Sequence, residues 1–284
     1  MQQKQTAAKN SRVLDIARSF VGARMAGQPL KAYPGAVPAT IEEAYSIQDA
    51  AIRLWPEEVA GWKVGRITGK DEAKYGVDRL AGPIFRSAKK ASGETLAAAI
   101  FADGFAAVEG EAVVILADDA PADKFDWTTD EARAMIGSVA AGVEIASSPF
   151  AGINELGPLV TISDFGNNNG LIVGEEFPQW RDFNFRDWRC ETFINDVSVG
   201  SETPAAIPGG PIESLRFLLT LCARRGLPLK KGMAVSTGAI TGVHEVAVGQ
   251  SAIVAFDGVP PIRCEVTAFT PVDPENTKKM RQSA

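Results

Sequence analysis

Three glutamates sit in runs too apolar to be solvated acidic patches. Glu109 and Glu111 interrupt the run 106–116, and Glu144 interrupts the run 139–145. In a strand, residues i and i+2 project from the same face, so Glu109 and Glu111 would point together. Adjacent carboxylates in apolar surroundings repel each other and are costly to desolvate. A divalent cation reconciles them, and an all-carboxylate set suits Mg²⁺ or Mn²⁺ rather than zinc. An edge strand with one face in water is the other reading of the same spacing.

The elements that must position these residues can be traced along the chain. Ser11 is placed to cap a helix running to about Met25, with Val13, Ile16, Ala17, Phe20 and Val21 on one face. Thr40, with Glu43 three residues on, opens a second helix that Pro56 ends. From Gly61 the texture turns to short strand-like runs: 61–65, 112–116, 159–162, 171–173 and 193–199. A hairpin is predicted from 252–256 through Asp257-Gly258 to 262–269. Two helices interrupt this part. One spans about Thr129 to Val139 with Thr128 and Glu131 as its capping box; the other starts at Pro211, carries Leu215, Leu218, Leu219 and Cys222 as its stripe, and stops at Gly226. Regular βαβ alternation is lacking, which argues against a doubly wound sheet.

The chain has 284 residues, 45% of them hydrophobic, enough for one large core with a helical appendage. A net charge of −6 argues against a nucleic-acid partner. Cys190, Cys222 and Cys264 form neither a disulfide framework nor a CxxC metal pattern, which suits a reducing cytoplasm. Asp103, Glu109 and Glu111 break the stretch 96–116, well short of the ~18 apolar residues of a spanning helix. The polar amino end has no signal-peptide core. A soluble cytoplasmic protein is expected.

Four signals follow one another in order: Gly61-Trp62-Lys63-Val64-Gly65, Gly76-Val77-Asp78, the glutamates with Glu144-Ile145, and Ser236-Thr237-Gly238-Ala239-Ile240-Thr241-Gly242. Together they resemble the fumarylacetoacetate hydrolase superfamily, in its branch of 2-keto-4-pentenoate hydratases and 4-oxalocrotonate decarboxylases. The resemblance runs from the second helix to Phe269. It implies an α+β fold: a helical amino-terminal lead-in (1–60), a mixed β-roll catalytic domain like the fumarylacetoacetase carboxyl-terminal domain (61–272), and a polar tail (273–284). It implies Glu109, Glu111 and Glu144 as ligands of Mg²⁺ or Mn²⁺, Lys63 and Asp78 as catalytic groups, and Thr237 and Gly238 beside the substrate carboxylate. It further implies a metal-dependent lyase, a hydratase of 2-hydroxypenta-2,4-dienoate or a related small 2-oxo acid acting through a metal-stabilised enolate. A decarboxylase of a 4-oxalocrotonate-like acid, or a non-catalytic partner subunit, would keep the same fold. A homo-oligomer, or a complex with a paralogous decarboxylase or hydratase, is implied as well.

Burial of Lys63 within Trp62-Lys63-Val64 would depress its pKa towards a range useful for proton transfer; a snorkelling lysine at a strand end is the alternative. Asp78 also reads as a surface pair with Arg79, and the 236–242 segment as an ordinary tight loop. His244, the only histidine, is read as structural or superficial. The sequence departs from the family pattern at Arg66, at Ser147, and at Asp164-Phe165 followed by Asn167-Asn168-Asn169. These changes alter the groups that would shape the pocket. No histidine precedes the glutamates, which speaks against the hydrolases' acid/base arrangement.

Overall fold

The computed structural model describes residues 2–86, 89–91, 93–178, 180–182 and 187–271. The expected tail at 273–284 lies outside them. Along the chain come α1 (Gln2–Ala26), α2 (Ile41–Leu54), β1 (Val59–Arg66), α3 (Gly69–Tyr75), β2 (Arg79–Phe85), β3 (Lys89–Ala91), β4 (Leu96–Ile100) and β5 (Phe105–Leu116). Next are α4 (Thr129–Ala134), β6 (Ile136–Ser148), α5 (Pro158–Ser163), β7 (Asn168–Glu176), β8 (Cys190–Ile194) and β9 (Val197–Glu202). The chain continues with α6 (Gly210–Arg224), β10 (Ala234–Ser236), β11 (His244–Glu245), β12 (Ser251–Phe256) and β13 (Ile262–Ala268).

The larger sheet runs β2-β1-β10-β5-β6-β7-β3, with β11 also pairing to β5. It is mixed: β1 with β10 and β3 with β7 are parallel, and the other pairs are antiparallel. The smaller sheet runs β4-β13-β12-β8-β9. Apolar residues of both sheets form one buried cluster, with Val108, Ala112, Val143 and Ile145 from the larger and Cys190, Val254, Ile262 and Val266 from the smaller. Each aliphatic side chain so buried contributes roughly 1.5–3 kcal/mol. Gly110 marks a close approach of the two sheets: a Cβ there would lie 2.8 Å from Cys190 Sγ and 3.0 Å from Val254 Cγ1. This explains the Glu-Gly-Glu order, since alternation turns the glutamates to one face and leaves the crowded face to the residue between them.

The amino-terminal helices close one side of the larger sheet. Ile16, Ala17 and Phe20 of α1 and Ile47, Ala50 and Ala51 of α2 form a second cluster with Phe85, Phe150 and Phe165. This is an α+β fold with a helical lead-in on a mixed-sheet core.

Several local expectations need correction. Ser11 lies inside α1, its hydroxyl 3.4 Å from Asp15 Oδ2, and does not cap it. Thr40 does cap α2, accepting the Glu43 amide at 3.2 Å, but the Glu43 carboxylate reaches the Ala39 amide at 3.0 Å. The capping box of Thr128 and Glu131 forms, yet α4 ends at Ala134, and residues from Ile136 on belong to β6. Residues 159–162 are helical, part of α5: Gly157 at φ +89° turns the chain, and Pro158 begins the helix. The run 193–199 is two strands, folded at Asn195-Asp196, both at positive φ.

Candidate active site

The register of β5 on β6 sets Glu109 directly opposite Glu144, and Glu111 follows two residues along β5 on the same face. One carboxylate oxygen from each lies within 4.8 Å of the others. All three are buried, Glu111 and Glu144 at 0% exposure. Lys63 of β1, also buried, brings Nζ to 3.3 Å from Glu144 Oε1. Three carboxylates against one ammonium leave a formal charge of −2 when all are ionised.

The neighbours hold part of this set and leave part unpartnered. Glu111 Oε2 accepts from Ser236 Oγ at 2.5 Å and from the Gly238 amide at 2.8 Å. Glu144 Oε1 accepts from Asn168 Nδ2 at 3.0 Å. Glu111 Oε1 and Glu144 Oε2 are buried with no hydrogen-bond partner among the described residues. Burial and the Glu144 charge push the Glu109 carboxyl up to about 7, against the opposing pull of Lys63. Glu111 is driven well above the usual carboxylate range by burial and by both neighbouring glutamates. Two orphan oxygens, an uncompensated negative charge and raised carboxyls fit a divalent cation, whose ligand set would be Glu109, Glu111 and Glu144.

Lys63 corrects an expectation. Burial does press its ammonium down, but Glu144, Glu109 and Glu111 outweigh burial and raise it above the ordinary lysine range. It stands at the wall of a cavity of about 420 Å³ that Glu109, Arg66, Asp71, Thr161 and Asn167 also line. Asp78 is not among the lining residues. Its side chain is 40% exposed, is engaged by Arg79, and borders a separate depression with Gly76 and Phe217. Thr237 is fully buried and donates to Ala112 O at 2.7 Å. Thr237 and Gly238 thus fasten the loop and hold Glu111, while Ala239 and Gly242 of the same loop face the cavity. His244 is partly buried and does not line the cavity; its Nε2 sits 3.1 Å from Thr241 Oγ1, and burial lowers its pKa.

Sequence reasoning missed the support beneath the site. Arg24, in the last turn of α1, is buried against Asp164, with Nη2 2.9 Å from Oδ2. It also donates to Asn168 O at 3.0 Å and to Ser147 O at 3.1 Å, and Ser148 Oγ donates to Asp164 Oδ2 at 2.6 Å. This links α1 through Asn168 to Glu144. Ser147, one of the divergent positions, is structural: it accepts from the Phe101 amide at 3.0 Å and donates to Phe105 O at 2.7 Å. Asp71 was missed as well. It sits in the first turn of α3 and lines the cavity.

No protein-family model matches the chain. In sequence it is 26% identical to 2-keto-4-pentenoate hydratase 1 of Dechloromonas aromatica, over 77% of this chain and 82% of that protein. It is 25% identical to 2-keto-4-pentenoate hydratase 2 of the same organism, over 77% and 83%. In fold it resembles the 4-oxalocrotonate decarboxylase of Pseudomonas putida G7, solved with magnesium and adipate, at a TM-score of 0.77 and 21% identity over 90% of this chain and 97% of that one. The fumarylpyruvate hydrolase of Pseudomonas aeruginosa, solved with Mn²⁺ and pyruvate, aligns at a TM-score of 0.54 and 16% identity over 73% and 89%. Relatives in sequence and in fold point the same way: the chain is similar in sequence to two hydratases and in fold to a decarboxylase and a hydrolase.

Proposed function

We propose that the chain is a divalent-metal-dependent lyase, a hydratase of 2-hydroxypenta-2,4-dienoate or a related small 2-oxo acid. The observation that carries this reading is the buried set Glu109, Glu111 and Glu144 with its two orphan oxygens, beside Lys63, which lines one cavity together with Glu109. Glu109, Glu111 and Glu144 would hold Mg²⁺ or Mn²⁺, which would supply Lewis acidity towards a 2-oxo acid. The hydratase relatives support the reaction class, and the metal-bound neighbours support the cofactor.

The chain's own residues do the rest. Tautomerisation moves the 2-hydroxyl proton of the dienol to C5, giving an enone. Water then adds its oxygen to C4 and a proton to C3, for a net gain of one water. Lys63 carries three protons on Nζ when charged, and in this reading it hands one to C3 and recovers one from the attacking water. Ser236 and Gly238 fix Glu111, and Asn168 fixes Glu144, so the carboxylates keep their positions while a substrate exchanges. Asp78 takes no step here, because its carboxylate is held by Arg79 away from the cavity. The division into a helical lead-in (1–60) and a catalytic domain (61–272) belongs to this proposal, as does assembly into a homo-oligomer.

The test follows dienol absorbance after EDTA treatment and again after Mg²⁺ or Mn²⁺ is restored. Metal-dependent loss of the dienol, with 4-hydroxy-2-oxopentanoate as product, is expected. Full turnover in exhaustively chelated protein would end the metal reading.

A further inference from the structure

Three asparagines follow one another from Asn167 to Asn169, and two have work within the protein. Asn168 Nδ2 donates to Glu144 Oε1 at 3.0 Å, and Asn169 Nδ2 donates to Ala99 O at 2.7 Å. Asn167 is only 4% exposed and lines the cavity with Lys63 and Glu109, yet its Oδ1 has no hydrogen-bond partner among the described residues. A buried carbonyl oxygen left unpaired costs about 1–3 kcal/mol, so its placement needs a reason.

The backbone holds this side chain where it is. Phe165, Gly166 and Asn167 all have positive φ, at +54°, +63° and +67°. Phe165 is packed edge-on to Trp55 and Phe85, and Arg24 and Ser148 grip the preceding Asp164. Gly166 lies so close to Gly82 that a Cβ on Gly82 would come within 2.0 Å of Phe165 O. A turn fastened on each side, in a conformation that L residues seldom adopt, fixes the direction of Asn167.

An amide oxygen accepts and does not donate, so what it lacks is an O–H or N–H group from outside the protein. On the hydratase reading, on which this inference rests, the reaction brings two such groups, the dienol's 2-hydroxyl and the water that adds at C4. The first is lost when the enone forms, and only the second is an O–H donor during the addition. The water oxygen bonds to C4, one of its protons ends at C3, and the other remains as the C4 hydroxyl. We propose that Asn167 is a specificity-determining residue whose Oδ1 accepts the hydrogen bond of that hydroxyl and of the water that becomes it.

The test compares two reactions of the Mn²⁺-loaded full chain: hydration of 2-hydroxypenta-2,4-dienoate, and exchange of the C3 hydrogens of 2-oxopentanoate into D₂O. The second needs enolisation but involves no hydroxyl at C4. Asn167→Gly removes the amide while suiting the positive φ, and Asn167→Asp keeps an acceptor at the same reach. The ratio of hydration to exchange is expected to fall about 10- to 100-fold in Asn167→Gly, the range for one lost hydrogen bond, and to recover in large part in Asn167→Asp. An unchanged ratio, or loss of Mn²⁺ binding by Asn167→Gly, would overturn the proposal. Wild-type protein that exchanges C3 hydrogens without hydrating the dienol would overturn it together with the hydratase reading, leaving the enolising site intact. Wild-type protein that does neither would remove the 2-oxo acid reading itself.

Discussion

Two buried charged clusters lie close together here and are built to different standards. Around Asp164, the guanidinium of Arg24 and the hydroxyl of Ser148 occupy the carboxylate, and Arg24 spends its remaining donors on backbone carbonyls and Asn169. Around Glu109, Glu111 and Glu144, one lysine faces three carboxylates, and two oxygens are left without partners among the described residues. The first cluster is complete without any ligand and ties α1 to the sheet. The second is complete only with added positive charge. Burial alone therefore does not mark a site; the shortfall of partners does.

Four changes would break or sharpen this contrast. Glu111→Gln or Glu144→Gln should lower turnover at least about 10⁴-fold, more than ~5 kcal/mol of transition-state stabilisation, with the fold retained in circular dichroism; steady-state kinetics measures it. Arg24→Ala strands Asp164 in the interior and should cost about 3–5 kcal/mol of stability in denaturant titration, as expected for half of a buried pair. If Arg24→Ala were harmless and Glu111→Gln unfolded the chain, the two clusters would have been assigned the wrong way round.

The pH dependence should separate the clusters further. Glu109 titrates near 7 in the folded metal-free chain, above its ordinary unfolded value of 4.5. A raised carboxyl adds stability that is fully present below the unfolded pKa and lost as pH rises through the folded one. Metal-free protein should thus gain on the order of 1 kcal/mol between pH 8 and pH 6 from this group. Saturating Mn²⁺, which requires ionised carboxylates, should abolish the gain. Thermal scans with and without Mn²⁺ read this directly. The smallest effect lies far from both clusters: Thr128→Ala removes the α4 capping box and should cost about 1 kcal/mol with kinetics unchanged.

The legible part of this molecule is the part written in short-range pattern. Glu109 and Glu111 stood out because an apolar strand of period two carried charge on one face, and Glu144 because it broke an equally apolar run. Thr40, Pro211 and Gly226 announced helix ends through local chemistry. The 159–162 run was read as a strand because four apolar and β-branched residues look alike in a strand and in one helical turn. Nothing in the local sequence singles out Arg24, and only the return of Asp164 from 140 residues away buries it. The sign of the Lys63 shift was missed for the same reason. Its apolar neighbours are adjacent in sequence, whereas the three carboxylates that overrule them arrive on other strands. Asn167 was visible only as a divergent position, because a missing partner is a property of the folded surroundings.

The most direct test of the central claim is calorimetric titration of chelator-treated wild-type protein with Mn²⁺ at pH 7 in buffers of different ionisation enthalpy, alongside Glu111→Gln. Saturation at one ion per chain with protons released, and weakening of at least about 100-fold in the variant, is the expected result. Equal affinity in the two proteins, or no binding by the wild type at millimolar Mn²⁺, would contradict the account.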